Sequence, residues 1–102
     1  MHPLLQRFES QIQDLCATYR VRRLELFGSA ARGADDPNRS DLDFLVEFEA
    51  IRDAEYKASY FAVLHGLEDL LGRRVDLVDV STIDNPRFLR AIEPDRTVVY
   101  AG

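Results

Sequence analysis

Near the start of the chain Leu4, Leu5, Phe8, Ile12, Leu15, Cys16 and Tyr19 recur at helical spacing, which predicts an amphipathic helix over roughly residues 3 to 19. The stretch VRRLELF, 21 to 27, then predicts a strand with Leu24 and Leu26 on one face, ending at Gly28. DLDFLVEF, 41 to 48, alternates cleanly. Leu42, Phe44, Val46 and Phe48 share one face, while Asp41, Asp43 and Leu45 share the other. Tyr56, Tyr60, Val63, Leu64, Leu67 and Leu71 mark a long helix from about 53 to 71, with Gly72 as its terminator. The valine-rich RVDLVDV, 74 to 80, predicts a third strand. Asp84 or Asn85 as a cap and Pro86 near the first helical position predict a short helix before Pro94. RTVVYA, 96 to 101, closes the chain as a short strand at a sheet edge. Helices and strands alternating in this order describe an α/β or α+β domain with one sheet and helices packed against it. The pattern leaves the strand order open.

Composition bounds the function. A chain of 102 residues is read as a single domain over 1–102, and 46% hydrophobic residues suffice for a real core. No apolar run approaches the ~20 residues of a membrane span, and the start of the chain lacks the pattern of a secretory signal. One cysteine, Cys16, excludes an internal disulfide and a multi-cysteine zinc site, and it suits the reducing cytoplasm. The net charge of −5 weighs against broad nucleic-acid binding, so any nucleotide site should be local. Arg22 with Arg23 and Arg73 with Arg74 are pairs, and no basic stripe runs along a helix.

Chemistry concentrates between the first two strands. Gly28 allows a turn without a Cβ, and Ser29 is expected as an N-cap whose hydroxyl and neighbouring N–H groups can receive an anion. SAARG then forms about one helical turn ended by Gly33, and ADDPNRS loops back to the second strand. Asp41 and Asp43 project from one face of that strand, about 7 Å apart. Two convergent carboxylates beside a phosphate cradle outline a magnesium site, because magnesium takes a few carboxylates and completes its shell with substrate phosphates and water. Phosphoryl chemistry commonly uses two ions, which calls for a third carboxylate. VDLVDV offers Asp76 and Asp79 on opposite faces. Asp76 is the choice, since Arg73 and Arg74 make its end of the strand the more polar one.

GSAARG followed by SDLDFLV, with eleven residues (30 to 40) between Ser29 and Asp41, resembles the Gly-Ser, spacer, Asp-x-Asp signature of the DNA polymerase β-like nucleotidyltransferases. VDLV resembles their third-carboxylate strand. The resemblance covers nearly the whole chain and is closest to the minimal nucleotidyltransferases, the MNT-type antitoxins encoded beside HEPN-domain toxins. It implies a small mixed β-sheet flanked by helices. It also implies that Gly28 and Ser29 hold the triphosphate of ATP and that Asp41, Asp43 and Asp76 bind two Mg2+ ions and carry catalysis. Arg32 matches an arginine usual in the minimal group and either touches phosphate or braces the loop. The implied reaction moves AMP from ATP to a tyrosine hydroxyl of a HEPN toxin, which silences it. The alternative is an antitoxin that neutralises the HEPN toxin by stoichiometric binding.

Other conspicuous residues are expected to be structural. His65 falls one position off the long helix's apolar stripe and reads as surface, Cys16 reads as core, and Tyr56 and Tyr60 read as core or interface. Asp79 reads as structural or exposed.

Overall fold

A computed structural model describes residues 2–102. The elements run α1 (Pro3–Arg7), α2 (Glu9–Thr18), β1 (Val21–Phe27), α3 (Gly28–Ala31), β2 (Leu42–Phe48), α4 (Asp53–Leu71), β3 (Val75–Asp79), α5 (Pro86–Ile92) and β4 (Thr97–Ala101), with 3-10 turns at Val80–Thr82 and Glu93–Asp95. The strands form one mixed sheet in the order β3-β2-β1-β4: β1 is antiparallel to both β2 and β4, and β2 is parallel to β3. The fold is thus α+β, and β4 lies at an edge as its short apolar run predicts.

The alternation along β2 sorts the core into two layers. Leu42, Phe44 and Val46 join Leu24, Leu26, Leu5, Ile12, Cys16, Val63 and Leu67 under α1, α2 and α4. Leu45, from the opposite face, joins Phe27 and Ile92 under α5, where Phe27 and Phe88 meet edge to face at 5.9 Å. Each fully buried Leu, Val or Phe contributes about 1.5–3 kcal/mol by leaving water. On the side of the sheet bearing Asp43 this cluster is completed by Val78, Val80 and Ile83 together with Phe88 and Leu89 of α5. Asn85 caps α5 by accepting from the Arg87 N–H at 2.9 Å, with Pro86 in the first turn.

The single helix expected over 3–19 is two. The backbone leaves helical geometry at Phe8 (φ −111°, ψ 22°). The halves answer to different anchors: His2, which caps α1, also bonds Asp35 in the loop before β2, whereas α2 packs on α4 and β1. The α2–α4 approach is close enough that a Cβ on Gly66 would lie 2.7 Å from Leu15 Cδ1.

The outer edge of β3 is closed by side chains. The Val75 N–H donates to Glu68 Oε2 at 3.2 Å, the Leu77 carbonyl accepts from the Tyr60 hydroxyl, and the Asp79 carbonyl accepts from Thr82 Oγ1 at 2.8 Å. Such caps keep an edge strand from pairing with another chain.

Candidate active site

Strand register assembles the site. Phe27, the last residue of β1, lies opposite Asp43 of β2, and Asp43 lies beside Asp76 in the parallel β2–β3 pairing. Neighbouring strands are about 4.8 Å apart, so the turn after β1 and the two carboxylates occupy one row across three strands. Gly28 begins that turn at φ +73°, and a Cβ there would lie 2.5 Å from Asp43 Oδ2. Only glycine permits both the left-handed backbone and this approach.

Ser29 sits inside α3, correcting the expected N-cap. Phe27, in extended backbone (φ −139°, ψ −177°), occupies the cap position and offers no side-chain hydrogen bond. The first-turn N–H groups of α3 thus receive no hydrogen bond from the cap residue's side chain. The N–H groups of this turn and the Ser29 hydroxyl are the donors it could offer to an anion.

The second strand pair supplies the carboxylates. Asp43 is half-buried, while Asp41 and Asp76 are exposed. Burial, followed by the facing charges of Asp76 and Asp41, holds the Asp43 carboxyl above the usual range. Arg74 offsets part of this charge from 3.9 Å, as an exposed pair with Asp41. Among the described residues, no three His, Cys, Asp or Glu side chains are already gathered as a finished metal cage. The donor set nonetheless fits magnesium: hard carboxylate oxygens crowd one edge, their mutual repulsion would be relieved by a divalent cation, and phosphate oxygens would supply the remaining ligands.

Asp79 points the other way. It is buried beneath α4, accepts a hydrogen bond from the Tyr56 hydroxyl, and receives the N–H and Oγ of Ser81, each at 2.8 Å. Its role is structural, whereas Asp76 lies on the face of β3 where Val78 packs with Leu45, the Asp43 side of the sheet. Burial and the Asp79 carboxylate raise the Tyr56 hydroxyl's pKa. Cys16 is wholly buried, which pushes its thiol up to about 12 and leaves no thiolate near neutrality. His65 is on the surface, as its position off the stripe predicts.

Arg32 turns toward the β4 side of α3, where its Nη1 donates to Asp95 Oδ2 at 2.7 Å. The α3 turn is thereby tied to the segment entering β4. Ion pairs that the local pattern did not show stand around the site. Asp35 accepts from Arg73 Nη1 at 2.6 Å and from His2 Nε2 at 3.2 Å, and Arg73 Nη2 donates to the Ser40 carbonyl at 2.9 Å. Arg73 therefore clamps the loop next to Asp41 while standing just before the strand that carries Asp76. Arg73's hydrogen bond, ahead of the opposing effect of burial, keeps the Asp35 carboxyl below its usual range. Glu25, buried on β1, is held by Arg96 Nε at 2.6 Å and by Arg23.

Residues 8–99 match the model of the nucleotidyltransferase domain family. The Methanocaldococcus jannaschii protein named "Putative protein adenylyltransferase MJ1379" is 38% identical over 92 residues, spanning 90% of this chain and 87% of its own. A solved structure described as a "putative minimal nucleotidyltransferase" superposes with a TM-score of 0.68 at 33% identity, over 91% of this chain and 90% of that one. In fold, the chain is also similar to one in the complex of tri-AMPylated Shewanella oneidensis HEPN toxin with MNT antitoxin, with a TM-score of 0.65 at 19% identity, over 96% and 73% of the two chains. Among the described residues, no helix is long and apolar enough to cross a membrane.

Proposed function

The chain belongs to the nucleotidyltransferase domain family and is a nucleotidyltransferase; from that premise we propose that it is a magnesium-dependent antitoxin that transfers AMP from ATP to a tyrosine hydroxyl of a HEPN-domain toxin. The observation that carries this reading is the row formed by the Gly28–Ser29 turn, Asp43 and Asp76 across β1, β2 and β3. Support for the transferred group comes from the relative's name as a protein adenylyltransferase. Support for the acceptor comes from the AMP-bearing HEPN toxin in the structurally similar complex.

In this mechanism the α3 turn holds the triphosphate through free N–H groups and the Ser29 hydroxyl. The acceptor oxygen attacks the α-phosphorus, the bond from that phosphorus to the bridging oxygen of the β-phosphate breaks, and pyrophosphate departs. Asp76 receives the hydroxyl proton, a role open to an exposed carboxylate at the rim. Magnesium, when bound as two ions by Asp41, Asp43 and Asp76 with the phosphates, supplies charge neutralisation and lowers the hydroxyl pKa. Arg32 serves the nucleotide site by bracing the phosphate turn through Asp95. The cytoplasm, with its ATP and reducing conditions, suits this reaction and the free Cys16 thiol.

The test incubates the protein with labelled ATP, magnesium and its HEPN-domain partner. Wild type should label the partner and relieve its toxicity, and Asp41→Asn and Asp43→Asn should do so at least 100-fold more slowly. Variants that label and neutralise as well as wild type would sink the catalytic reading. Variants that neutralise without labelling would favour neutralisation by binding.

A further inference from the structure

The stretch from Gly33 to Asp41 carries the chain from α3 to the mouth of β2 and contains no helix or strand. Its central turn is held by its own bonds. The Asp36 N–H donates to Ser40 Oγ at 2.9 Å, the Ser40 N–H to the Asp36 carbonyl at 2.8 Å, and the Asn38 N–H to Asp36 Oδ1 at 2.9 Å. These bonds shape the turn but leave open where it sits against the strands.

Arg73 fixes that position from both ends of the turn. Its Nη1 donates to Asp35, just before the turn, at 2.6 Å, and its Nη2 donates to the carbonyl of Ser40 at 2.9 Å. The second bond holds the peptide unit that leads into Asp41. A planar guanidinium can serve both acceptors at once, whereas an ammonium is a single point charge. Arg73 is in turn placed by the sheet. The Leu42 N–H donates to the Arg74 carbonyl at 3.0 Å, and the ladder continues with Leu42 beside Val75 and Asp43 beside Asp76.

Stability alone does not account for this grip. The Arg73 and Asp35 side chains are 11% and 8% exposed, and Arg73 Nε is buried with no hydrogen-bond partner among the described residues. Such a pair returns little net stability, because desolvation offsets the attraction. The side chain of Asp41 has no comparable anchor, since its pair with Arg74 at 3.9 Å is too exposed to hold it.

Resting on the proposed metal site of Asp41, Asp43 and Asp76, we propose that Arg73 is a positioning residue: its fork sets the Ser40–Asp41 peptide so that the Asp41 carboxylate converges with those of Asp43 and Asp76. The test titrates manganese, a paramagnetic stand-in for magnesium, into wild type, Arg73→Lys, Asp35→Ala, His2→Ala and Asp43→Asn, well below each melting midpoint. AMP transfer is measured separately across manganese concentrations. Arg73→Lys and Asp35→Ala should fold yet bind manganese about 10-fold more weakly, the scale of losing a group that orients a metal ligand. Their transfer should fall at limiting manganese and recover to within a few-fold of wild type at saturation, a rescue that general loosening of the fold would not show. His2→Ala loses the other contact to Asp35 but keeps the bond to Ser40, so it should melt lower and bind manganese as wild type does. Wild-type manganese affinity in folded Arg73→Lys or Asp35→Ala would overturn the proposal, as would an equal loss in His2→Ala. Failure of both variants to fold would make the grip a requirement of the fold itself and overturn it too. Equal manganese binding by wild type and Asp43→Asn would remove the metal site, and the proposal with it.

Discussion

Gly28 and Asp43 stand so close that a methyl group on the glycine would lie 2.5 Å from Oδ2 of the aspartate. The turn after β1 and the central carboxylate are thus fitted to one another, with no room for a side chain between them. Gly28→Ala should displace Asp43 and lower AMP transfer by about 100-fold, the scale of a misplacement near 1 Å. The left-handed backbone adds about 1–2 kcal/mol of destabilisation. Gly33→Ala is the control: its φ is +70°, with nothing within 4 Å of a Cβ. It should lose similar stability, read by thermal melts, while transfer remains within a few-fold of wild type. Equal loss of transfer in both would show that backbone strain, rather than contact with Asp43, is what matters.

Asp76 and Asp79 share a strand and should separate by phenotype. Asp76 is exposed beside Asp43, so Asp76→Asn should change stability by less than about 0.5 kcal/mol while lowering transfer at least 100-fold. Asp79 is buried and holds Tyr56 and Ser81, so Asp79→Ala should cost about 1–3 kcal/mol by leaving those donors unpaired. Its transfer rate at saturating partner should stay within several-fold of wild type. Denaturant melts and labelling assays on the same preparations check both halves.

Legibility in the sequence followed the range of the interactions. The period-2 alternation through 42–48 placed Asp43 opposite the core face, because burial of Leu42, Phe44 and Val46 leaves no other orientation. The odd three-residue offset that puts Asp76 and Asp79 on opposite faces was equally readable. The break at Phe8 was not, because the apolar stripe continues across it and its anchors, Asp35 and Arg73, lie far away in the chain. The Arg32–Asp95 and Arg73–Asp35 pairs span 63 and 38 residues, beyond any local periodicity. Glu25 carried a signal: a carboxylate between Leu24 and Leu26 in an apolar strand asks for a buried partner. Arg96 could not be chosen from the other arginines without the fold.

The Glu25 cluster predicts an acid limit to stability. The Arg96 hydrogen bond, set against opposing burial and aided by Arg23, holds the Glu25 carboxyl below its ordinary value. A carboxyl depressed in the folded state contributes stability that is full above the unfolded pKa of about 4.3 and is lost as pH falls through the lower folded value. Glu25→Gln should therefore be about 2 kcal/mol less stable than wild type at pH 7, the scale of hydrogen bonds to charged groups. The gap should narrow from roughly pH 5 downward. Urea midpoints measured between pH 3 and 7 check this, and a gap independent of pH would refute it.

Arg32 and Asp95 should behave as one brace. Their bond of 2.7 Å joins the end of α3 to the turn before β4, with Arg32 largely exposed and Asp95 mostly covered. Exposed pairs contribute about 0–1 kcal/mol, so neither Arg32→Ala nor Asp95→Ala should threaten folding. Each should loosen the phosphate turn and raise KM for ATP by a similar few-fold. The double variant should be no worse than either single one, because each removes the same bond. A direct phosphate contact gives the opposite pattern: Arg32→Ala would weaken ATP binding strongly, whereas Asp95→Ala would free the guanidinium and tighten it. ATP titrations of the three variants and wild type, at constant magnesium and ionic strength, distinguish the two through the sign of the Asp95→Ala effect. With the guanidinium turned toward β4, the expected sign is weaker binding.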